Sequence, residues 1–196
     1  MFEVTCPAVA WVENYFENVM NASTLSLILL LVATGASMRT AWRPFVARHT
    51  PKFFWGCILA IFTLQAYWSY AQFRLWQSVE PSKYLLPPHN GWGYFAQYVG
   101  WRFFAPYIIS LIIAGIFFYL AKVFNSKREY GFFYEEEYYF IALSFFLTGH
   151  PGWIIYGSLL VVISLLVIAF RNLILHKKDK LSLYYFWFPA GAIAIL

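Results

Sequence analysis

The stretch FAPYIISLIIAGIFFYLAKVF, residues 104–124, holds one charged residue, Lys122, among 21 positions. A run of about 20 apolar residues is the length that an α-helix needs to cross the hydrocarbon core of a bilayer. The rest of the chain has the same character, because 61% of its 196 residues are hydrophobic and only 12% are charged. An average soluble domain has about 25% charged residues. The sequence therefore predicts an all-α integral membrane protein.

The same length criterion marks six spans, which predict a polytopic fold with six transmembrane helices. The fourth and the sixth are short for a bilayer core. Short connections and the lack of a flexible Gly/Ser linker predict a single integral membrane domain over residues 1–196. The predicted spans lie at about 23–41, 53–73, 104–124, 133–149, 153–170 and 184–196.

The distribution of basic residues predicts the orientation, since loops rich in Lys and Arg remain in the cytoplasm. With the N-terminus outside, eleven of the 14 basic residues lie in inner loops and three lie outside. A re-entrant fourth segment would place seven on each side, so a full crossing is favoured. Because topology accounts for the net charge of +5, a nucleic-acid partner is not expected. The inner basic residues are Arg39, Arg43, Arg48, Lys52, Lys122, Lys127, Arg128, Arg171, Lys177, Lys178 and Lys180.

The longest connection is the outer loop 74–103. Two adjacent prolines interrupt any helix in its middle. Four aromatic residues then recur at every third position, which is typical of a short helix lying in the membrane interface. The alternative is a lip over an outward-facing pocket, whose binding residues would be His89, Asn90, Trp92 and His150. The prolines are Pro87 and Pro88, and the aromatic residues are Trp92, Phe95, Tyr98 and Trp101.

Most standard catalytic signatures are absent from the chain, including a Walker loop, a dinucleotide fingerprint, an H-E-x-x-H helix and a C-x-x-C pair. Of the four histidines, His89 and His150 fall on the predicted outer face, and His49 and His176 fall in inner loops. The outer pair shares no helical register, so neither a metal site nor a cofactor is expected. Around His150, the sequence GHPGW indicates a tight turn between two antiparallel helices.

The stretch GFFYEEEYYFIALSFFLTGHPG, residues 131–152, places three consecutive glutamates directly before the fourth apolar segment. The first turn of a helix favours negative charge through its unpaired amide groups and its macrodipole, so Glu135, Glu136 and Glu137 fit a capping role. The alternative is that one of these crowded carboxylates exchanges protons in a reaction. A second catalytic group would then be required.

Four short motifs follow one another within residues 104–196: a loop at Gly131–Glu136, a small-residue step at Ala142–Ser144, a turn at Gly149–Gly152, and an aromatic element ending in proline at Phe186–Pro189. Their order and predicted sidedness resemble the type IV prepilin peptidases, which are polytopic aspartic proteases of the prokaryotic inner membrane. That family carries a cytoplasmic G-x-G-D loop, an A-x-L-G run, a G-W-P-like turn and a P-F-x-P-like element.

The resemblance implies a catalytic aspartate position, which Glu136 fills here, or Glu135 in a shifted register. The glycine that precedes it in the family is replaced by Tyr134 or Phe133. An aspartic protease needs two carboxylates that share a proton, and the first inner loop of this chain has no acidic residue. The remaining acids that could act as the partner are Asp179, which lies among lysines, and Glu129.

Two functional hypotheses follow. In the first, the resemblance implies a diverged, degenerate prepilin peptidase-like protein of the prokaryotic inner membrane that binds or processes pilin-like membrane substrates at its cytoplasmic face. In the second, the chain is a non-catalytic membrane scaffold or assembly subunit that binds a protein partner or lipid. A transporter is disfavoured, because no Asp, Glu, Lys or Arg lies in the middle of a predicted span.

Overall fold

The computed structural model describes residues 7–39, 43–126, 134–170 and 184–196, with side chains at all of these positions except 7–21, 43, 44, 47 and 168. Every regular element in these ranges is helical, and no strand occurs among them, which confirms the predicted all-α class for this part of the chain. The elements are α1 (Pro7–Met38), α2 (Arg43–Ser78), a 3₁₀ turn (Ser82–Leu85), α3 (Trp92–Val99), a π-helical segment (Gly100–Phe104), α4 (Ala105–Ser126), α5 (Glu135–Thr148), α6 (Gly152–Phe170) and α7 (Trp187–Ile195).

Each of the six predicted spans contains a helix. The helix bounds differ most from the predicted bounds in the first two spans. α1 begins at Pro7 rather than near residue 23, and α2 extends from Arg43 to Ser78. The basic segment between the first two spans is therefore largely helical. α2 continues through Pro51, although an interior proline removes one backbone hydrogen bond and its ring crowds the carbonyl four residues earlier.

The centre of the bundle is α5, which packs against α1, α2, α4, α6 and α7. All eight residues from Phe140 to Leu147 are buried. A helix that is apolar around its whole circumference is typical of such a core position. With 14 residues at about 1.5 Å each, α5 is roughly 21 Å long, which is shorter than the roughly 30 Å core of a bilayer. The short fourth segment predicted at 133–149 thus forms the core of the molecule.

The outside of the bundle is apolar. The continuous helix Trp92–Ser126 is long and apolar enough to cross a membrane, and only 22% of its most apolar part is buried. The core helix of a soluble protein would be mostly buried, so this surface supports membrane association. Of the described helices, this is the one that meets the length and hydropathy criteria together, and the six-span arrangement stays a prediction. Exposed aliphatic side chains include Ile108, Ile112 and Ile116 on α4, and Val161, Leu165 and Leu166 on α6.

The connection 74–103 contains the expected aromatic helix, but this helix is continuous with the helix of the predicted third span. α3 passes through the π segment into α4 without a break. Pro106, in the first turn of α4, has no N–H to donate to the carbonyl of Arg102, and the π segment that directly precedes it accommodates this loss. The aromatic residues of α3 are therefore held rigidly on the end of a long helix.

Candidate functional site

The three glutamates at the start of α5 lie in different environments. Glu135 is exposed, Glu136 is half-buried, and Glu137 is fully buried with 0% of its surface exposed. Successive helix positions point about 100° apart, so three consecutive side chains cannot share one face. Among the described residues, Glu137 is the one charged side chain that is buried.

Both carboxylate oxygens of Glu137 accept hydrogen bonds. Oε2 accepts from the indole Nε1–H of Trp187 at 2.9 Å, and Oε1 accepts from the backbone N–H of Tyr134 at 3.3 Å. The backbone N–H of Glu137 donates in turn to the carbonyl of Tyr134 at 3.0 Å. Reciprocal bonds of this kind satisfy amide groups that a helix start leaves unpaired. Glu137 therefore caps α5 and fastens α7 to it.

A second hydrogen bond joins the same two helices two turns further along α5. The hydroxyl of Ser144 donates to the backbone carbonyl of Trp187 at 3.2 Å. Ser144 follows Glu137 by seven residues, so the two side chains lie on one face of α5. On α7, Gly191 lies so close to its neighbours that an added Cβ would be 3.3 Å from Leu30 of α1 and 3.5 Å from Ser144. α7 is thereby held tightly against α1 and α5.

The predicted catalytic residues, Glu135 and Glu136, lie outside this buried network. The acids considered as their partners, Glu129 and Asp179, lie outside the described residues, as do the basic neighbours Lys127 and Arg128. Within the described ranges, no group of three or more His, Cys, Asp or Glu side chains could hold a metal ion. Glu137 has no exposed surface through which water could reach it, and protein donors occupy both of its oxygens. This geometry suits a structural role.

Sequence reasoning did not single out Glu137, although one signal was present. The residues three and four positions after Glu137 are Phe140 and Ile141, which continue its helix face as an apolar stripe. The residues three and four positions after Glu135 are Tyr138 and Tyr139, whose hydroxyl groups suit a less buried face. The partner Trp187 could not be identified in this way, because it lies 50 residues further along the chain.

At the opposite end of α5, His150 lines a cavity of about 150 Å³ between α1, α2, α4 and α5. α5 ends at Thr148, and the next residue, Gly149, has a φ of +65°, which lies in the region that favours glycine. In the turn that follows, the indole Nε1–H of Trp153 donates to Nδ1 of His150 at 3.2 Å. The polar residues lining this cavity are Ser23, Gln65, Arg102, Tyr107, Thr148 and His150.

The other three residues predicted for an outer pocket lie apart from this cavity. His89 is exposed, and its ring packs against a tyrosine of the same connection. The side-chain oxygen of Asn90 accepts a hydrogen bond from the backbone N–H of the next residue at 2.8 Å. Trp92 stacks on Phe73 of α2 with 5.5 Å between ring centroids. None of these three residues lines the cavity that His150 lines.

A second feature is an apolar groove of about 700 Å³ between α4 and α6, which both pack on α5. Its walls include Phe117 and Ala121 of α4, Phe145 of α5 and Gly157 of α6. Trp187, the partner of Glu137, also contributes to the groove.

Together these features define an all-helical bundle that has a buried central helix, an apolar exterior, a polar cavity and an apolar groove. Comparisons of the chain with protein-family models, with curated proteins and with solved structures find no match. Function is therefore inferred from this chain's own residues.

Proposed function

We propose that the protein is a polytopic protein of a prokaryotic inner membrane that binds the membrane helix of a pilin-like partner without cleaving it. In this role it is a scaffold or assembly subunit, with its N-terminus outside and the start of α5 in the cytoplasm. The resemblance of residues 104–196 to the prepilin peptidases supports a pilin-like partner. The distribution of basic residues supports the orientation.

The observation that carries this proposal is the groove between α4 and α6. Helices associate in lipid through close packing, and small residues allow their backbones to approach each other. Gly157 and Ser164 lie seven positions apart on the α6 side of the groove and so share a face, and Ala121 lies on the α4 side. Phe145 stacks on Phe117 with 4.2 Å between ring centroids, which gives the floor a rigid aromatic surface. These walls fit an apolar helix.

The state of the carboxylates supports binding rather than cleavage. Glu137 is buried and hydrogen-bonded to Trp187 and Tyr134, so it caps α5 and links α5 to α7. A protease of the aspartic class needs a pair of carboxylates around a water molecule. This link between α5 and α7 stabilises the binding surface, because Trp187 contributes to the groove.

Photo-crosslinking from the groove tests the proposal. A photoreactive amino acid at Val161, which is 59% exposed in the groove, is expected to form an adduct with a co-expressed pilin-like protein. The matched control is Ile112, which is 58% exposed on α4 outside the groove and should form none. Filling the groove with Gly157→Leu should abolish the Val161 adduct. Equal adducts from both positions, or an adduct that survives Gly157→Leu, would contradict the proposal.

Peptide-bond cleavage is the second candidate function, and the accessibility of Glu135 and Glu136 favours it. If Glu136 fills the catalytic position of the family, Glu136→Gln abolishes processing of a co-expressed prepilin, measured as the loss of the shorter product on a gel. Glu80→Gln is the control, because it makes the same chemical change in the exposed outer connection. A parent protein that leaves the prepilin uncut, or a variant that cuts it as well as the parent, removes this candidate.

A further inference from the structure

The polar cavity exists because the central helix is short. α5 ends at Thr148, while α1, α2 and the helix formed by α3 and α4 extend past this point, so a space of about 150 Å³ is left beyond its last turn. An apolar cavity of about this volume in another protein holds a benzene molecule, so a small chemical group fits here. The charge distribution predicts that this end of the bundle faces the outside.

Gln65 of α2 marks the cavity as a binding site. Its side chain is 4% exposed and lines the cavity, yet no hydrogen bond joins its carboxamide to another described residue. Buried polar groups in proteins almost always have a hydrogen-bond partner, because an unpaired one loses its hydration without compensation. The carboxamide of Gln65 is therefore available to a group that enters the cavity.

The remaining polar groups favour an anion. Arg102 brings a guanidinium to the cavity and lies over the Tyr98 ring, 5.6 Å from its centroid. Because Trp153 donates to Nδ1 of His150, the neutral imidazole carries its proton on Nε2 and offers a donor there. A guanidinium beside neutral donors is the usual protein environment of a phosphate group.

A neighbouring depression indicates where such a phosphate comes from. An open cavity of about 500 Å³ shares Arg102 and Pro106 with the polar cavity and is otherwise lined by Tyr94, Gln97, Tyr98 and Trp101. Trp101 is 71% exposed. Tyr and Trp side chains concentrate at the headgroup level of membranes, where one part of the ring system is apolar and the other is wet. Arg102 thus lies between the bundle interior and a surface suited to lipid.

We propose that the polar cavity binds the phosphate group of a phospholipid. The guanidinium of Arg102 and the carboxamide of Gln65 are its main contacts, and the His150 ring supplies a further donor. The glycerol and acyl chains of the lipid lie against the aromatic surface of α3 and the π segment. This site is separate from the α4–α6 groove, so the failure of either proposal leaves the other standing.

Titration of the full-length protein in a neutral detergent tests the site. The probes are dihexanoyl phosphatidylglycerol below its micelle concentration, inorganic phosphate, and dihexanoylglycerol, which lacks the phosphate. We expect saturable binding of the phospholipid, competition by inorganic phosphate, and no binding of dihexanoylglycerol. Arg102→Gln and Gln65→Leu should each weaken phospholipid binding by about tenfold or more, as expected when a charge-assisted or buried hydrogen bond is lost.

Arg74→Gln is the matched control, because it removes a positive charge from an exposed position of α2 that does not line the cavity. Its affinity for the phospholipid should equal that of the parent. If Arg102→Gln does not fold, Gln65→Leu provides the same test without a change of charge. Unchanged affinity in the folded cavity variants, or equal binding of dihexanoylglycerol, would overturn the site. Inorganic phosphate that binds as tightly as the phospholipid would overturn lipid as the source.

Discussion

Glu137 is a carboxylate without exposed surface, in the first turn of a helix whose following residues are apolar. Moving such a group out of water is costly unless hydrogen bonds compensate for the lost hydration. Trp187 and Tyr134 supply those bonds. The net contribution of each bond to stability is modest. Removing either bond is nevertheless costly, because it leaves a buried oxygen of Glu137 unpaired.

Trp187→Phe tests this role at the scale of one hydrogen bond. The substitution removes the indole donor and keeps an aromatic ring, so we expect a loss of about 1–3 kcal/mol in the free energy of unfolding. Unfolding by SDS in mixed micelles measures this quantity.

Trp153→Phe is the matched control for that variant. Its indole donates to His150, which is exposed and can bond to water instead. We expect a change within about 0.5 kcal/mol, as for most surface substitutions. Equal losses of unfolding free energy in Trp187→Phe and Trp153→Phe would contradict a stabilising role for the hydrogen bond from Trp187 to Glu137.

At this scale, the sequence allowed a cap to be predicted at residues 135–137, but not the identity of the glutamate that turns inward. Three consecutive positions cover most of a helical turn, so each glutamate has a different face. The choice is made by tertiary packing, and the deciding partner, Trp187, belongs to another helix.

At the scale of elements, α7 depends on its neighbours. It has nine residues, which is too few for a helix to be stable without tertiary packing. Its buried residues Trp187, Phe188, Ala190, Gly191 and Ala192 face α1, α5 and α6. The small residues in this set permit the close approach of helices that membrane proteins favour.

Gly191→Leu tests that close approach. Since a Cβ at this position already lies 3.3 Å from Leu30, the larger side chain must displace α7, and we expect a loss of about 1–3 kcal/mol in unfolding free energy. Gly115→Leu in α4 is the control, because a Cβ there would meet nothing within 4 Å. SDS-induced unfolding compares the two. A loss of the same size in both variants would contradict the packing argument.

Apolar run length was enough to predict a helix in each of the six segments. It could not show that α5 lies at the centre, because a peripheral span and a core helix have the same hydropathy. Nor could the aromatic spacing of α3 show that its helix continues into α4. That continuity depends on the backbone around Gly100 and Pro106, where a π segment replaces a break.

At the scale of the whole molecule, the short buried helix α5, packed among the longer helices α1, α2, α4 and α6, has two different ends. The start of α5 carries Glu135 and Glu136 at an accessible surface, and its other end opens into the polar cavity beside His150. The partner helix proposed for the α4–α6 groove and the phospholipid proposed for the cavity would thus bind at separate places. Neither the cavity nor its Gln65 contact could be predicted from the sequence, because α1, α2, α4 and α5 form them jointly.

The full crossing of the membrane by α5 is the claim on which this arrangement depends. It is tested by single cysteines at positions 135 and 150, both exposed, in a protein whose Cys6 and Cys57 are replaced by serine. Spheroplasts are treated with a membrane-impermeant maleimide before and after permeabilisation. We predict that His150→Cys is labelled in intact spheroplasts and that Glu135→Cys is labelled only after permeabilisation. Labelling of both positions from the same side would contradict the crossing.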